Sequence, residues 1–211
     1  MGETMRKVIG LFPTPFMMSE GLLDAATVDG LRRRALSGHK ADNAGTNLLS
    51  HTEMVDPGDE ALFADVVQRV APEIDKYGEL LFGDRLDWTV KEMWMNVLEP
   101  GGSQFMHSHA NSFVSGIVYL SDPHPSTRTV FMRNAGGNDF VFKHDAADEA
   151  VNQFNADRWI VPPVKPGDLV LYPSYLLHGV PPNQGERRFS LALNAIPDRL
   201  KSFDYEIRFS R

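Results

Sequence analysis

Apolar residues recur at helical spacing in two stretches near the start of the chain and at strand spacing through most of the rest. Leu22, Leu23, Ala26, Val28, Leu31 and Leu36 mark a first helix, with Gly38 available as its stop. Arg32-Arg33-Arg34 interrupts that pattern and reads as a solvated face. Between Asp59 and Gly83, Leu62, Phe63, Val66, Val67, Val70, Ile74, Tyr77, Leu80 and Leu81 form one apolar stripe, which predicts a longer helix with a core-facing side. The intervening run from Ala41 to Gly58 is rich in Asn, Gly, Thr, Ser, Asp and Pro. It predicts irregular chain with at most a short strand around Leu48-Leu49-Ser50.

After Leu86 the character changes. Trp88 to Leu98 is rich in strand formers and meets a turn signal at Pro100-Gly101-Gly102. Phe113 to Leu120 is a second such run, and shorter strands are expected at Thr129–Met132, Phe140–Phe142, Trp159–Val161, Asp168–Tyr172 and Arg188–Ile196. Asp145 to Asp157 carries few apolar residues and reads as a surface excursion or a lid. Helices followed by many short strands predict a mainly β fold with N-terminal helices, the strands closing into a barrel or jelly roll. The 211 residues read as a single domain, with 1–86 as helical support and 87–211 as the β core.

Composition narrows the chemistry. A formal charge of −7 gives no electrostatic footprint for nucleic acid or an anionic membrane surface. Cysteine is absent, which excludes disulfides, thiolate zinc sites, iron–sulfur clusters and cysteine nucleophiles. A metal here would need nitrogen and oxygen ligands. Val8 to Phe12, stopped by Pro13, is too short for a secretory leader, and no apolar run approaches a membrane span, so a cytoplasmic location is the default expectation.

Three histidines stand out. Alternate residues of a strand share a face, so His107-Ser108-His109 points two imidazoles into one space, where a shared cation would relieve their repulsion. His178 follows a turn and strand running from Val164 to Pro173, and could close a metal site. Ten residues on, Arg188-Phe189-Ser190 opens another apolar strand, with Arg188 and Ser190 on one face and Arg187 turned to solvent. A guanidinium buried there needs an anion, either a ligand carboxylate or an internal acidic residue. His39, His51, His124 and His144 read as structural or surface residues.

The order His107-x-His109, a long interval, His178, then Arg188-x-Ser190 resembles the non-haem Fe(II)/2-oxoglutarate-dependent oxygenase superfamily, in particular its small bacterial and phage members. Trp94-Met95-Asn96, Ser115-Gly116-Ile117-Val118-Tyr119, Tyr172-Pro173-Ser174 and Arg188-Phe189-Ser190-Leu191-Ala192-Leu193-Asn194 carry the resemblance, over roughly residues 88 to 196. It implies a double-stranded β-helix, the cupin-like jelly roll, with Fe(II) on His107 and His178 and the distal carboxylate of 2-oxoglutarate on Arg188 and Ser190. The implied activity is a dioxygenase that hydroxylates an unidentified substrate and releases succinate and CO2. One departure matters: superfamily members usually carry Asp or Glu where this chain has His109, so a three-histidine face is expected in place of the usual two histidines and a carboxylate. Asn96 is expected to hydrogen-bond the co-substrate or a water beside it, and Tyr119 and Ser115 have the same parity; for all three a satisfied interior polar group is the equal alternative.

Two other readings use the same residues. A cupin-like zinc or iron protein that does not use 2-oxoglutarate would employ the three histidines and leave Arg188-x-Ser190 unexplained. A noncatalytic jelly-roll binding module would make the histidines structural. The expected partners are dioxygen and a small-molecule or peptide substrate, with no nucleic acid and no membrane, and a homodimer is the base-rate oligomer.

Overall fold

The computed structural model describes residues 5, 7–38, 40–42, 46–56, 58, 60–133 and 150–209. His39, His144, the strand expected at Phe140–Phe142 and residues 145–149 of the expected excursion lie outside the described residues. The elements in chain order are β1 (Met17–Ser19), α1 (Ala25–Ser37), β2 (Lys40–Asp42), β3 (Thr46–Thr52), α2 (Ala61–Phe82), β4 (Trp88–His107), β5 (Val114–Tyr119), β6 (Val130–Met132), β7 (Arg158–Ile160), β8 (Leu169–Pro173), β9 (His178–Val180) and β10 (Arg188–Pro197). A separate hairpin of β11 (Arg199–Ser202) and β12 (Tyr205–Arg208) follows.

Both helices form where the periodicity predicts them. Asp24 caps α1 by accepting from the Thr27 N–H at 2.9 Å. Gly83 ends α2 in the left-handed region at φ 67°, its N–H donating to Glu79 O. The apolar stripe of α2 is narrower than the sequence suggests. Phe63, Val66, Val70, Ile74 and Tyr77 are buried, whereas Leu80 is 67% exposed. Gly78 sits among them, the Trp88 indole occupying the place that a Cβ would take.

The strands form one curled antiparallel sheet in the order β1-β8-β5-β10-β4-β9-β6-β7, with β3 beside β4 and β2 beside β3. The N-terminal segment, expected to be helical support, therefore also contributes three strands. A second difference concerns β4. The turn signal at Pro100-Gly101-Gly102 does not end it; the strand bends there and continues to His107. Gly101 supplies the bend at φ 80°, and its N–H donates to Asn183 O while Asn183 N–H donates to Gly102 O. One half of β4 thus pairs with β10, the other with β9 across a register shift, and the sheet folds over on itself as a jelly roll.

Alternation along the central strands separates two apolar regions. Met93, Met95 and Val97 of β4 and Phe189, Leu191, Leu193 and Ala195 of β10 pack with the helices. Leu169 and Leu171 of β8 join them, while Val170 and Tyr172 turn the other way with Ile117, Tyr119 and Phe131. The second face lines the interior of the roll, where the site lies. None of the described helices is long and apolar enough to cross a membrane.

Gly78→Ala is expected to force Trp88 aside and lower the unfolding free energy by about 1–3 kcal/mol. Urea unfolding followed by tryptophan fluorescence would show this as a lower midpoint with an unchanged slope.

Candidate active site

The interior pocket collects side chains from six strands. It is lined by His107, His109, His178, Arg188, Ser190 and Asn96 together with Trp94, Gln104, Thr129 and Tyr172. Register explains the grouping. His107 of β4 stands directly opposite His178 of β9, so their rings lie 4.3 Å apart between centroids. His109 lies just beyond the end of β4, where its N–H donates to Ser174 O at 2.9 Å. Its ring is 5.2 Å from that of His107 and 5.1 Å from that of His178.

Each imidazole offers a nitrogen, and the three lie within 4.8 Å of one another. Nitrogens held at right angles to one dication at about 2.0–2.1 Å are roughly 3 Å apart, so a small contraction would seat a metal. His107 Nδ1 lies 2.9 Å from Phe105 O and His178 Nδ1 lies 3.0 Å from Leu176 O. Carbonyl oxygens only accept, so both rings carry Nδ1–H and present a lone pair on Nε2. Burial, reinforced by the charge His107 can carry, pulls His178 down to about 3 and His109 down to about 4. Both are therefore neutral near neutral pH, the state a metal ligand needs. Trp94 lies against His109 at 5.6 Å and 30°, fixing its plane.

At the other end of the pocket Arg188 is 5% exposed, and its Nε and Nη2 have no hydrogen-bond partner among the described residues. Its guanidinium lies over the Tyr119 ring at 5.4 Å, a cation–π contact that offsets part of its desolvation. Burial lowers its pKa from the ordinary value and Tyr119 opposes that shift; arginine nonetheless keeps its proton. The internal ion pair weighed from sequence is not found among the described residues. Arg187, of opposite parity, faces solvent and pairs with Glu99 at 2.9 Å. Ser190 stands directly opposite Asn96, whose Oδ1 is buried and also lacks a partner.

Residues 92–194 match the model of the family described as "Putative 2OG-Fe(II) oxygenase". That match spans just under half of the chain, includes His107, His109, His178, Arg188, Ser190 and Asn96, and supports a 2OG-Fe(II) oxygenase, an oxidoreductase of a family that depends on Fe(II) and 2-oxoglutarate. HygX from Streptomyces hygroscopicus, solved with nickel and 2-oxoglutarate bound, is similar over 87% of this chain and 83% of its own, at 17% identity and TM-score 0.64. A Pseudomonas putida prolyl-4-hydroxylase is similar over 86% and 92%, at 20% identity and TM-score 0.59. SnoN, a non-heme alpha-ketoglutarate-dependent epimerase from nogalamycin biosynthesis, is similar over 88% and 80%, at 17% identity and TM-score 0.58. At these identities the likenesses establish the jelly-roll fold of the oxygenase. No curated protein matches the chain.

All six residues singled out from sequence therefore line one pocket. Ser115 and Tyr119 are satisfied interior polar groups, the second of the two alternatives for them. The Ser115 hydroxyl is engaged with Asn194 Oδ1 at 2.7 Å and Ser174 Oγ at 2.9 Å, and the Tyr119 hydroxyl pairs with Thr129 Oγ1 at 3.2 Å. Three neighbours were given no role from sequence: Tyr172, whose hydroxyl is 3.0 Å from His178 Nε2, and Glu92 and Asn194 behind His109. The signal for the last two was parity, since Glu92 shares a face with Trp94 and Asn96, and Asn194 with Arg188 and Ser190.

Arg188→Met removes a buried cation and fills its space with apolar atoms. The ligand-free oxygenase is expected to be as stable as the parent or up to about 4 kcal/mol more stable, read from thermal unfolding. A clear loss of stability would reveal an internal anion serving Arg188.

Proposed function

We propose that this oxygenase binds Fe(II) through His107, His109 and His178, anchors 2-oxoglutarate on Arg188, Ser190 and Asn96, and hydroxylates a small-molecule or peptide substrate. The observation that carries the reading is Arg188: a fully buried guanidinium with Nε and Nη2 unpartnered, facing a pocket whose other end holds three converging imidazoles. A guanidinium fork recognises a carboxylate through two parallel N–H···O bonds, and leaving it unpaired out of water costs several kcal/mol. A dicarboxylate with a 2-oxo acid at its other end fits that distribution of charge and lone pairs.

When bound, Fe(II) and 2-oxoglutarate supply the oxidation: with dioxygen, the 2-oxo acid gives succinate and CO2, and one oxygen atom enters a C–H bond of the substrate. The chain's own residues bind and orient. Arg188 fixes the far carboxylate, while Ser190 can donate to it from the neighbouring position on β10. Phe105 O and Leu176 O hold the tautomers of His107 and His178, so their Nε2 lone pairs stay aimed at one point. Tyr172 currently donates to His178 Nε2 and must release it when that lone pair is used, which frees a hydroxyl donor beside the histidines. Leu49, Leu98 and Val180 pack together and form an apolar part of the pocket wall. A cupin-like protein without 2-oxoglutarate would use the same histidines but leave Arg188 buried without a counter-ion.

Anaerobic calorimetry and visible absorbance of the Fe(II)-loaded protein test this. One equivalent of 2-oxoglutarate is expected to bind with a new visible band, and Arg188→Ala to weaken binding by about 2–5 kcal/mol, thirtyfold or more. Full metal occupancy without 2-oxoglutarate binding would sink the assignment, as would dioxygen uptake that never accompanies loss of 2-oxoglutarate.

A further inference from the structure

His109 differs from the other two imidazoles in what holds its Nδ1. His107 and His178 donate to backbone carbonyls, which fix their tautomers. His109 Nδ1 instead meets the side-chain amide of Asn194 at 3.1 Å, and an amide can present either its N–H or its oxygen. Two sets of neighbours compete for that amide. On one side Glu92 Oε2 lies 3.0 Å from Asn194 Nδ2, and an ionised carboxylate only accepts, so it draws the NH2 end toward itself and His109. On the other side Ser115 Oγ lies 2.7 Å from Asn194 Oδ1. Ser115 heads a row of hydroxyls: Ser174 at 2.9 Å, then Ser112 at 3.0 Å, which reaches Ala195 O at 3.1 Å. Hydroxyls both donate and accept, so Ser115 can serve either end of the amide.

The two settings have opposite consequences for His109. With its NH2 end toward Glu92, Asn194 donates to Nδ1, and the ring proton sits on Nε2, aimed at His178 Nε2 3.3 Å away. That imidazole offers the centre of the triad a proton, not a lone pair. With the amide turned over, Oδ1 accepts from Nδ1–H, Nε2 is bare, and Nδ2 donates to Ser115, whose own proton passes its bond to Ser174 and so along the row to Ala195 O. The proton lost from Nε2 is regained at Nδ1 through solvent, so the net charge is unchanged. Turning over brings Oδ1 against the Glu92 carboxylate, which must then move toward Lys91, already 2.6 Å from its other oxygen.

We propose that Asn194 is a positioning residue with two settings, held closed by Glu92 and accommodated when open by Ser115, Ser174 and Ser112, and that a divalent metal enters the three-histidine site only in the open setting. The inference rests on the reading of the triad as a metal site, and extends it to residues behind the ligand.

Imidazole ¹⁵N NMR of the metal-free protein, assigned with His109→Gln, gives a readout independent of turnover: His109 is expected to carry its proton on Nε2, and His107 and His178 on Nδ1. Calorimetric Co(II) titrations of Asn194→Asp and Glu92→Gln complete the test. Asn194→Asp leaves only acceptors facing His109, and Glu92→Gln supplies an N–H that can meet the turned-over oxygen, so both are expected to tighten Co(II) binding, the first about tenfold or more. One substitution adds a negative charge and the other removes one. If charge alone governed affinity, the two would shift in opposite directions, and that result, or a metal-free wild-type His109 protonated on Nδ1, overturns the inference while leaving the metal site standing. Failure of the wild type to bind Co(II), or binding untouched by His107→Ala, overturns the metal reading and the inference with it.

Discussion

Side-chain alternation along Arg188–Pro197 ties the core to the site. Phe189, Leu191, Leu193 and Ala195 pack under the helices, and the intervening Arg188, Ser190, Ala192 and Asn194 face the interior of the roll. A slip of one residue would put a guanidinium into the helix-facing core and a phenylalanine into the pocket. The neighbouring strands fix the register from both sides, β4 with Leu98 opposite Arg188 and β5 with Tyr119 opposite Ser190. The free energy of burying the outer face therefore also sets the positions of the polar groups on the inner one. The site has no separate folding problem of its own.

The same constraint explains why the polar groups tolerate their burial unequally. Ser115, Ser174, Asn194 and Tyr119 have partners within the fold, so their cost is largely recovered in place. Arg188 Nε and Nη2 and Asn96 Oδ1 have none among the described residues, and they lie on adjacent strands lining the pocket. Unsatisfied groups scattered through a core would be a defect of packing. Two of them sharing a cavity with converging imidazoles are what the proposed co-substrate site requires, since a bound ligand would recover their cost.

Periodicity was legible in the sequence wherever one face of an element is apolar. Both helices, the strands at 114–119, 169–173 and 188–197, and the common face of Arg188 and Ser190 follow from spacing alone. The pairing of His107 with His178 does not, because it depends on a strand that continues through Pro100-Gly101-Gly102. Locally those residues favour a turn, and only the long-range contacts with Asn183 convert the turn into a bend within a strand. The short strands β1, β2 and β9, of three residues each, carry too few positions for alternation to register. Glu92 and Asn194 escaped notice for another reason: parity placed them on the inner face, yet their relation to His109 arises from pairing between strands about a hundred residues apart.

Placing imidazole where the superfamily usually has a carboxylate changes the electrostatics of the centre as well as its ligand set. Imidazole ligands contribute no charge toward a dication, and the buried Arg188 adds a positive one in the same pocket. On the proposed reading a dianionic co-substrate spanning the two would be attracted from both ends, and the triad and Arg188 would reinforce one another as a single anion site once a metal is present. In the described protein the carboxylate closest in connection to the triad is Glu92, one amide removed from His109 and paired outward with Lys91. Its influence reaches the metal position through the orientation of Asn194 and not by direct ligation. A carboxylate ligand would fix charge and geometry together, whereas this arrangement separates them: the ring supplies the geometry, and the charge stands behind an amide that can turn.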